Sequence, residues 1–167
     1  MRTELKIKVC LWIMIVGLIL SGLTAFPLRW ESQVLASLFG VDSAANPEML
    51  SGMRWWLVTV RNGLQETYTK YPFIAYGTDW LAFAHLILAI LFIGPLRDPV
   101  KNLWVIEFGL IACVLVIPMA VICGQIRGIP FYWRLIDCSF GVLGFMTLWL
   151  ARTWTIEAKS NGQREAL

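Results

Sequence analysis

The sequence predicts an all-α integral membrane protein with a bundle of four transmembrane helices, and three observations carry that prediction. The 167-residue chain is 58% hydrophobic and only 15% charged, whereas soluble domains have about half apolar and about a quarter charged residues. Its mean hydropathy is +0.67. The charges are also spaced so that they leave four long apolar runs, at about 9–28, 79–96, 103–124 and 130–151.

Each run is close to the length that a spanning helix needs. A helix rises about 1.5 Å per residue and the hydrocarbon core is about 30 Å thick, so roughly 20 residues cross it. The four runs leave no room for a separate soluble domain. We therefore expect a single membrane domain over residues 1–167.

The first run also resembles a secretory signal, because it follows the basic residues Arg2, Lys6 and Lys8. A signal needs a short apolar region and small residues before the cleavage point. This run has spanning length, and a cut after Ala25 would leave the large Leu23 three residues before it. We expect an uncleaved first helix.

The basic residues predict the orientation of the spans. With the N-terminus inside, the inner segments (1–8, 97–102 and 152–167) carry eight Lys and Arg in 30 residues, against six in 61 for the outer segments (29–79 and 125–134). Cytoplasmic loops are enriched in Lys and Arg. The distribution favours cytoplasmic N- and C-termini.

The long connection at about 29–72 is predicted to be an amphipathic helical segment outside the cytoplasm. A first short apolar pattern begins at Trp30 and stops at Gly40. A second begins with Asn46-Pro47-Glu48, where Asn caps free N–H groups and Pro suits the first helical position. Apolar residues then recur at helical spacing as far as Lys70, which predicts a helix from about Pro47 to Lys70. This segment either packs on its own bundle or holds a partner.

Small residues predict where the spanning helices approach closely. Gly17 and Ser21 stand four residues apart in the first run, and Cys138, Gly141 and Gly144 stand three residues apart in the fourth run. In lipid, small faces allow backbones to pack tightly where hydrophobicity supplies no drive. We expect each of these two faces to contact a neighbouring helix.

Four ionisable residues lie within the apolar runs: His85, Glu107, Arg134 and Asp137. Such groups are costly in lipid and need a partner or a function. Counting from the outer helix ends places His85 and Asp137 at equal depth, and Arg134 is one turn above Asp137, at the spacing of an ion pair. The sequence predicts an outer polar cluster whose members are as follows: His85, Asp137, Arg134, Asp79 and Cys138.

This outer polar cluster has two interpretations. As a functional site it would be a proton relay, ligand site or catalytic site, since imidazole titrates near neutral pH and a carboxylate would orient it. As a structural feature, Arg134 and Asp137 would neutralise each other and His85 would hydrogen-bond between helices. Glu107 is a second polar position near the inner end of its helix, where it would pair with Arg97 or Lys101 or reach interfacial water.

Several chemistries are disfavoured. A single histidine does not provide bis-histidine haem ligation, and no metal site of recognised spacing is present. The chain has no CxxC motif, phosphate loop or nucleophile elbow. A net charge of +3, dispersed along the chain, does not favour nucleic acid as a partner. No particular cofactor is indicated, and a disulfide between Cys123 and Cys138 remains open.

Three strings carry a resemblance to other proteins: Tyr76-Gly77-Thr78-Asp79-Trp80-Leu81-Ala82-Phe83-Ala84-His85, Gly94-Pro95-Leu96-Arg97-Asp98-Pro99, and Arg127-Gly128-Ile129-Pro130 through Arg134-Leu135-Ile136-Asp137-Cys138. With them, roughly residues 70–150 resemble a group of uncharacterised small bacterial four-helix membrane proteins. The resemblance implies a bacterial inner membrane and brings no activity with it.

Two functional hypotheses follow. In the first, the protein is a non-catalytic accessory, scaffold or interaction subunit, whose partners are the lipid bilayer and a larger membrane protein or further copies of itself. In the second, it is a small membrane enzyme or proton-coupled carrier built on His85, Asp137 and Arg134. Isolation of the protein with a stoichiometric partner would favour the first hypothesis, and a ligand bound at His85 the second.

Overall fold

The computed structural model describes residues 2–41 and 46–165, and the regular elements in these ranges are helices. Seven α-helices follow one another: α1 (Arg2–Ala25), α2 (Leu28–Leu38), α3 (Gly52–Lys70), α4 (Ala75–Leu91), α5 (Ile93–Arg97), α6 (Leu103–Ile126) and α7 (Phe131–Glu165). Short 3₁₀ turns at Pro47–Met49 and Pro72–Ile74 precede α3 and α4. The prediction of an all-α chain is confirmed for the described residues.

Four helical stretches among the described residues are long and apolar enough to cross a membrane: Thr3–Ala25, Pro72–Arg97, Leu103–Ile126 and Phe131–Asn161. They match the four predicted runs, but several ends differ. α1 begins well before residue 9, and α7 continues to Glu165 rather than ending near residue 151. Helical hydrogen bonding continues through polar residues, so an apolar run underestimates the length of its helix.

The second predicted run is interrupted near its end. α4 stops at Leu91, and α5 begins at Ile93 and contains Pro95. Proline has no N–H with which to reach the carbonyl of Leu91, so the regular helix pattern breaks there. The chain then resumes with a bond from the Leu96 N–H to the Phe92 carbonyl at 3.2 Å.

The helix predicted from Pro47 to Lys70 is divided in two. Asn46 caps as expected, because its side chain accepts from the Glu48 N–H at 3.1 Å, but only the 3₁₀ turn follows it. Leu50 and Ser51 are extended, and α3 begins at Gly52, whose φ is +58°. Leu50 leaves the helical path to pack against a small core.

The chain forms two compact units, residues 19–86 and residues 1–18 with 87–167. In the first, Ala36, Val41 and Val58 form a buried core between α2 and α3. Gly40 has φ +68° and ends α2, as the sequence predicted. The Val41 N–H bonds the Ala36 carbonyl and the Gly40 N–H bonds the Ser37 carbonyl, a Schellman motif that also brings Val41 against Ala36.

In the second unit, α6 and α7 pack through glycine. A Cβ atom on Gly141 would lie 2.7 Å from the Cys113 carbonyl oxygen, and one on Gly144 would lie 2.8 Å from the Cys113 sulfur. Such distances leave room only for hydrogen. The close approach predicted for Gly141 and Gly144 is confirmed, and it aligns α6 and α7 side by side along the apolar part of each. No atom of the described residues lies within 4 Å of a Cβ built on Gly17, so the prediction was wrong at that glycine.

Candidate functional site

His85 lies on α4 and is partly buried. Its Nδ1 is 2.8 Å from the Leu81 carbonyl oxygen one turn earlier. Since a carbonyl only accepts, Nδ1 carries a proton and donates it to this oxygen. This bond stays within α4, whereas the structural interpretation expected His85 to bond between helices.

The position of His85 depends on a glycine in α1. A Cβ atom on Gly22 would lie 3.2 Å from the His85 Cβ and 3.0 Å from the Ala82 carbonyl oxygen. α1 and α4 therefore approach closely beside the histidine, and a larger residue at position 22 would push against the α4 backbone.

Asp79, also on α4, lies among aromatic rings and not beside a charged partner that the structure describes. It lines a shallow pocket of about 310 Å³ with Phe26, Tyr76, Trp80 and Phe83. Trp80 packs edge-on against Tyr76 and Phe83, with ring centroids 5.9 and 5.7 Å apart. Among the described residues, no hydrogen bond joins Asp79 to His85.

Arg134 follows the turn between α6 and α7. Gly128, with φ +69°, ends α6 in a second Schellman motif, in which the Ile129 N–H bonds the Gly124 carbonyl at 2.9 Å. The Arg134 side chain crosses Gly124 so closely that a Cβ there would lie 2.6 Å from its Cδ. Arg134 Nη1 then donates to the Val121 carbonyl at 3.3 Å.

The ion pair expected between Arg134 and Asp137 is not formed. The guanidinium is directed toward the carboxyl end of α6, where exposed carbonyls and the helix dipole favour a cation, and it lies 5.5 Å from the centre of the Phe131 ring. In the described part of the chain, Asp137 has no ion-pair partner. Cys138 is partly buried beside it.

The outer polar cluster is thus divided between the two units. His85 and Asp79 belong to residues 19–86, and Arg134, Asp137 and Cys138 belong to the other unit. The proximity of His85 to Asp137 stays a prediction. All four cysteines, including Cys123 and Cys138, are free thiols, and no group of three His, Cys, Asp or Glu side chains in the described ranges could hold a metal ion.

Glu107 has a partner that the sequence analysis did not select. Its Oε1 accepts a hydrogen bond from Arg152 Nε at 2.9 Å and also lies 2.9 Å from Arg152 Nη2, so the ion pair joins α6 to α7. The expected pairing with Arg97 or Lys101 was wrong, because Lys101 instead contacts Asp98 in the turn before α6. The signal available in the sequence was the position of Arg152, at the inner end of the last apolar run.

A polar cleft between α2 and α3 was also missed. It has a volume of about 490 Å³ and is lined by Gln33, Ser37, Val41, Arg61, Asn62 and Gln65. Arg29 of α2 bonds Gln65 of α3 through Nε at 3.1 Å and Nη2 at 2.7 Å. Arg61 is 9% exposed although it is charged, and the apolar periodicity of α3 gave no indication of its burial.

The comparisons with known proteins give no family for this chain. No protein-family model, curated protein or solved structure matches it.

Proposed function

We propose that this protein is an integral membrane protein of the bacterial inner membrane, with four spans, cytoplasmic termini and the α2–α3 segment outside. The exposed face of α6 supports insertion. Ile111, Leu115, Met119 and Ile122 are 57% to 64% exposed along one side of the helix. A continuous apolar face of this kind is unfavourable in water and suits lipid.

Within that membrane, the function best supported is that of a non-catalytic accessory, scaffold or interaction subunit. The observation that carries it is the α2–α3 hairpin, which has its own core yet leaves large apolar side chains outside it. Leu38 at the end of α2 is 74% exposed and Met49 in the following 3₁₀ turn is 87% exposed. Apolar side chains held on a folded support are typical of a surface that binds another protein.

The alternative is a small membrane enzyme or proton-coupled carrier. One observation favours it: Asp137 has no ion-pair partner among the described residues, and Arg134 is directed elsewhere. Unpaired ionisable groups at membrane depth often bind protons or ligands. In this function His85, Asp137 and Arg134 would form the site, as the sequence predicts.

The test is isolation of the full chain from its native membrane in a mild non-ionic detergent. The accessory function predicts a stoichiometric protein partner that Leu38→Glu and Met49→Glu release, because a charge opposes burial of those positions. Thr69→Glu, an exposed position on the same hairpin, is the control and should retain the partner. Isolation of the chain alone, with a small molecule lost on His85→Leu, would overturn the accessory function in favour of the alternative.

A further inference from the structure

The pocket beside Asp79 has a chemistry that neither proposed function uses. Its described lining consists of four aromatic side chains and one acid: Phe26, Tyr76, Asp79, Trp80 and Phe83. All five residues belong to the unit of residues 19–86. The volume of about 310 Å³ is at the lower end of the range of small-molecule sites, about 300–1,000 Å³. The pocket therefore has the size for a small ligand or for one group of a larger ligand.

The three aromatic side chains of α4 form walls at right angles to one another. Tyr76, Trp80 and Phe83 follow each other at four and three residues, the spacing at which side chains meet on one face of a helix. The Trp80 ring is inclined by 82° to the Tyr76 ring and by 87° to the Phe83 ring, with centroids 5.9 and 5.7 Å apart. Rings in this arrangement do not cover each other's faces by stacking, and the three side chains remain 50% to 61% exposed.

Phe26 reaches the pocket from the other side, directly after the end of α1. Gly22 lies four residues before it, and a Cβ atom on Gly22 would lie 3.0 Å from the Ala82 carbonyl oxygen of α4. The end of α1 is thus packed against α4 next to the pocket. This contact fixes the fourth ring relative to the three rings of α4.

Asp79 supplies the pocket with a negative charge. Among the described residues its carboxylate has no ion-pair partner, and no basic side chain lines the pocket. Aromatic rings carry negative charge on their faces and attract cations there. The surface that these residues present to the pocket is apolar, which suits a cation that has methyl groups and needs no hydrogen-bond acceptor.

We propose that this pocket binds a quaternary ammonium group, the trimethylammonium of choline, either free or in the headgroup of a lipid. The methyl groups pack against the rings, and the Asp79 carboxylate provides the opposite charge without a hydrogen bond. The lipid source follows from the proposed position of the outer end of α4 at the membrane interface, where aromatic side chains meet headgroups. Only the choice of source rests on that proposed position.

The test measures binding of radiolabelled choline to the full chain in a maltoside detergent, which contains no ammonium group. The competing probes are unlabelled choline, its uncharged analogue in which carbon replaces nitrogen, phosphatidylcholine and phosphatidylglycerol. Trp80→Leu removes a ring and Asp79→Asn removes the charge, whereas Asp79→Glu retains it. Trp104→Leu, at a position of α6 with 59% exposure against 54% for Trp80, and Glu66→Gln, at an exposed acid of α3, are the matched controls outside the pocket.

The wild type should bind choline, and W80L and D79N should each weaken that binding by about fivefold or more, as expected when a cation–π contact or its counter-charge is lost. D79E should bind better than D79N, and W104L and E66Q should bind as the wild type does. The uncharged analogue should compete poorly. Displacement of choline by phosphatidylcholine and not by phosphatidylglycerol identifies the lipid headgroup as the source, and failure of both lipids to displace it identifies free choline.

Four results would overturn the proposal: no choline binding by the wild type, equal competition by the uncharged analogue, unchanged binding in W80L and D79N, or an equal loss in the two controls. The melting temperature of each variant without choline separates a lost contact from a lost fold, and D79N, which changes a single atom of the side chain, keeps the test decisive if W80L is unstable. Since no partner protein is present, these outcomes leave the accessory function untouched.

Discussion

Glu107 and Arg152 join α6 to α7 through a single carboxylate oxygen that lies 2.9 Å from both Nε and Nη2 of the arginine. Their side chains are 42% and 31% exposed, so the pair is neither fully buried nor fully solvated. Each residue alone would leave an unpaired charge within a helix long and apolar enough to cross a membrane, and the pairing reduces that cost. The same two helices meet at Gly141 and Gly144, so the ion pair and the glycine contact act on one interface.

Removal of one member of this pair should destabilise the protein. Glu107→Gln leaves Arg152 without its counter-ion, and we expect a loss of about 1–2 kcal/mol, between the values for exposed and buried pairs. The double variant Glu107→Gln/Arg152→Gln should lose less unfolding free energy than the sum of the losses of the two single variants, because each single change already removes the ion pair. Thermal unfolding in detergent measures each variant. Lys101→Gln, in the largely exposed Asp98 pair, is the control, and strict additivity of the two changes would contradict the prediction.

Alanine at Gly141 should separate α6 from α7. The new Cβ would lie 2.7 Å from a backbone oxygen that has no freedom to rotate away, and overpacking of this kind costs about 1–3 kcal/mol. Gly17→Ala is the control, because no atom lies within 4 Å of a Cβ built there and alanine favours a helix more than glycine does. Gly141→Ala should melt at a lower temperature than both wild type and Gly17→Ala, and a melting temperature equal to the control would refute the contact.

Asp98 should make a pH-dependent contribution to stability. The backbone N–H of Lys101, which donates to Asp98 Oδ1 at 3.0 Å, holds the pKa of this carboxyl below its usual value, with the Lys101 ammonium adding to the effect. A lowered pKa means that the stabilisation is present above the unfolded pKa, about 3.9 for Asp, and is lost as the pH falls through the folded pKa. Asp98→Ala should therefore be less stable than wild type at neutral pH, and the difference should narrow in acid. A constant difference from pH 7 to pH 3 would contradict this.

His85 and Asp137 are predicted to lie at equal depth on facing helices, within one water of each other. Single cysteines at 85 and 137, in a chain whose four native cysteines are replaced, should form a disulfide or be joined by a short cross-linker. Cysteines at 85 and 146, where Met146 is nine residues further along α7 and 59% exposed, form the control pair and should not. Equal cross-linking yields for the two cysteine pairs would contradict the predicted cluster. A distance between spin labels at 85 and 137 that exceeds the spacing of adjacent helices would contradict it as well.

His85→Leu should have little effect on stability. The ring is hydrogen-bonded to Leu81 within α4, so the change breaks no bond between helices that the structure describes. We expect a change below about 1 kcal/mol in unfolding free energy. Gly22→Ala, which would press on the α4 backbone beside His85, should destabilise more. The reverse order would indicate that the His85 ring itself supports the helix contact.

The membrane topology has its own test. Reporters fused at the C-terminus and inserted after Met49, which is 87% exposed in the connection before α3, should report opposite compartments. Three of the four candidate spans lie between the two positions, and an odd number of membrane crossings places them on opposite sides. Reporters in the same compartment would contradict the proposed spans, and a C-terminal reporter outside the cytoplasm would contradict the proposed orientation.

The sequence by itself determined the four long helices and some of their ends. Apolar runs of spanning length identified the four long helices, and Gly40 marked the end of α2, since a residue with positive φ is favourable mainly for glycine. The small residues were only partly informative: Gly141 and Gly144 contact α6, whereas no atom of the described residues lies within 4 Å of a Cβ built on Gly17.

Only the tertiary structure decided which polar groups meet. The sequence offers Glu107 several basic partners at the ends of the apolar runs: Arg97, Lys101 and Arg152. The packing of α6 on α7 selected Arg152. The same packing directed Arg134 along Gly124 to the Val121 carbonyl rather than to Asp137. The orientation of Gln65 follows from Arg29, which is 36 positions away. A long flexible side chain can adopt several rotamers of similar energy and so can reach several partners. The partner that it contacts therefore depends on which helix packs opposite it, and the hydrophobic periodicity of a single helix does not specify its neighbour.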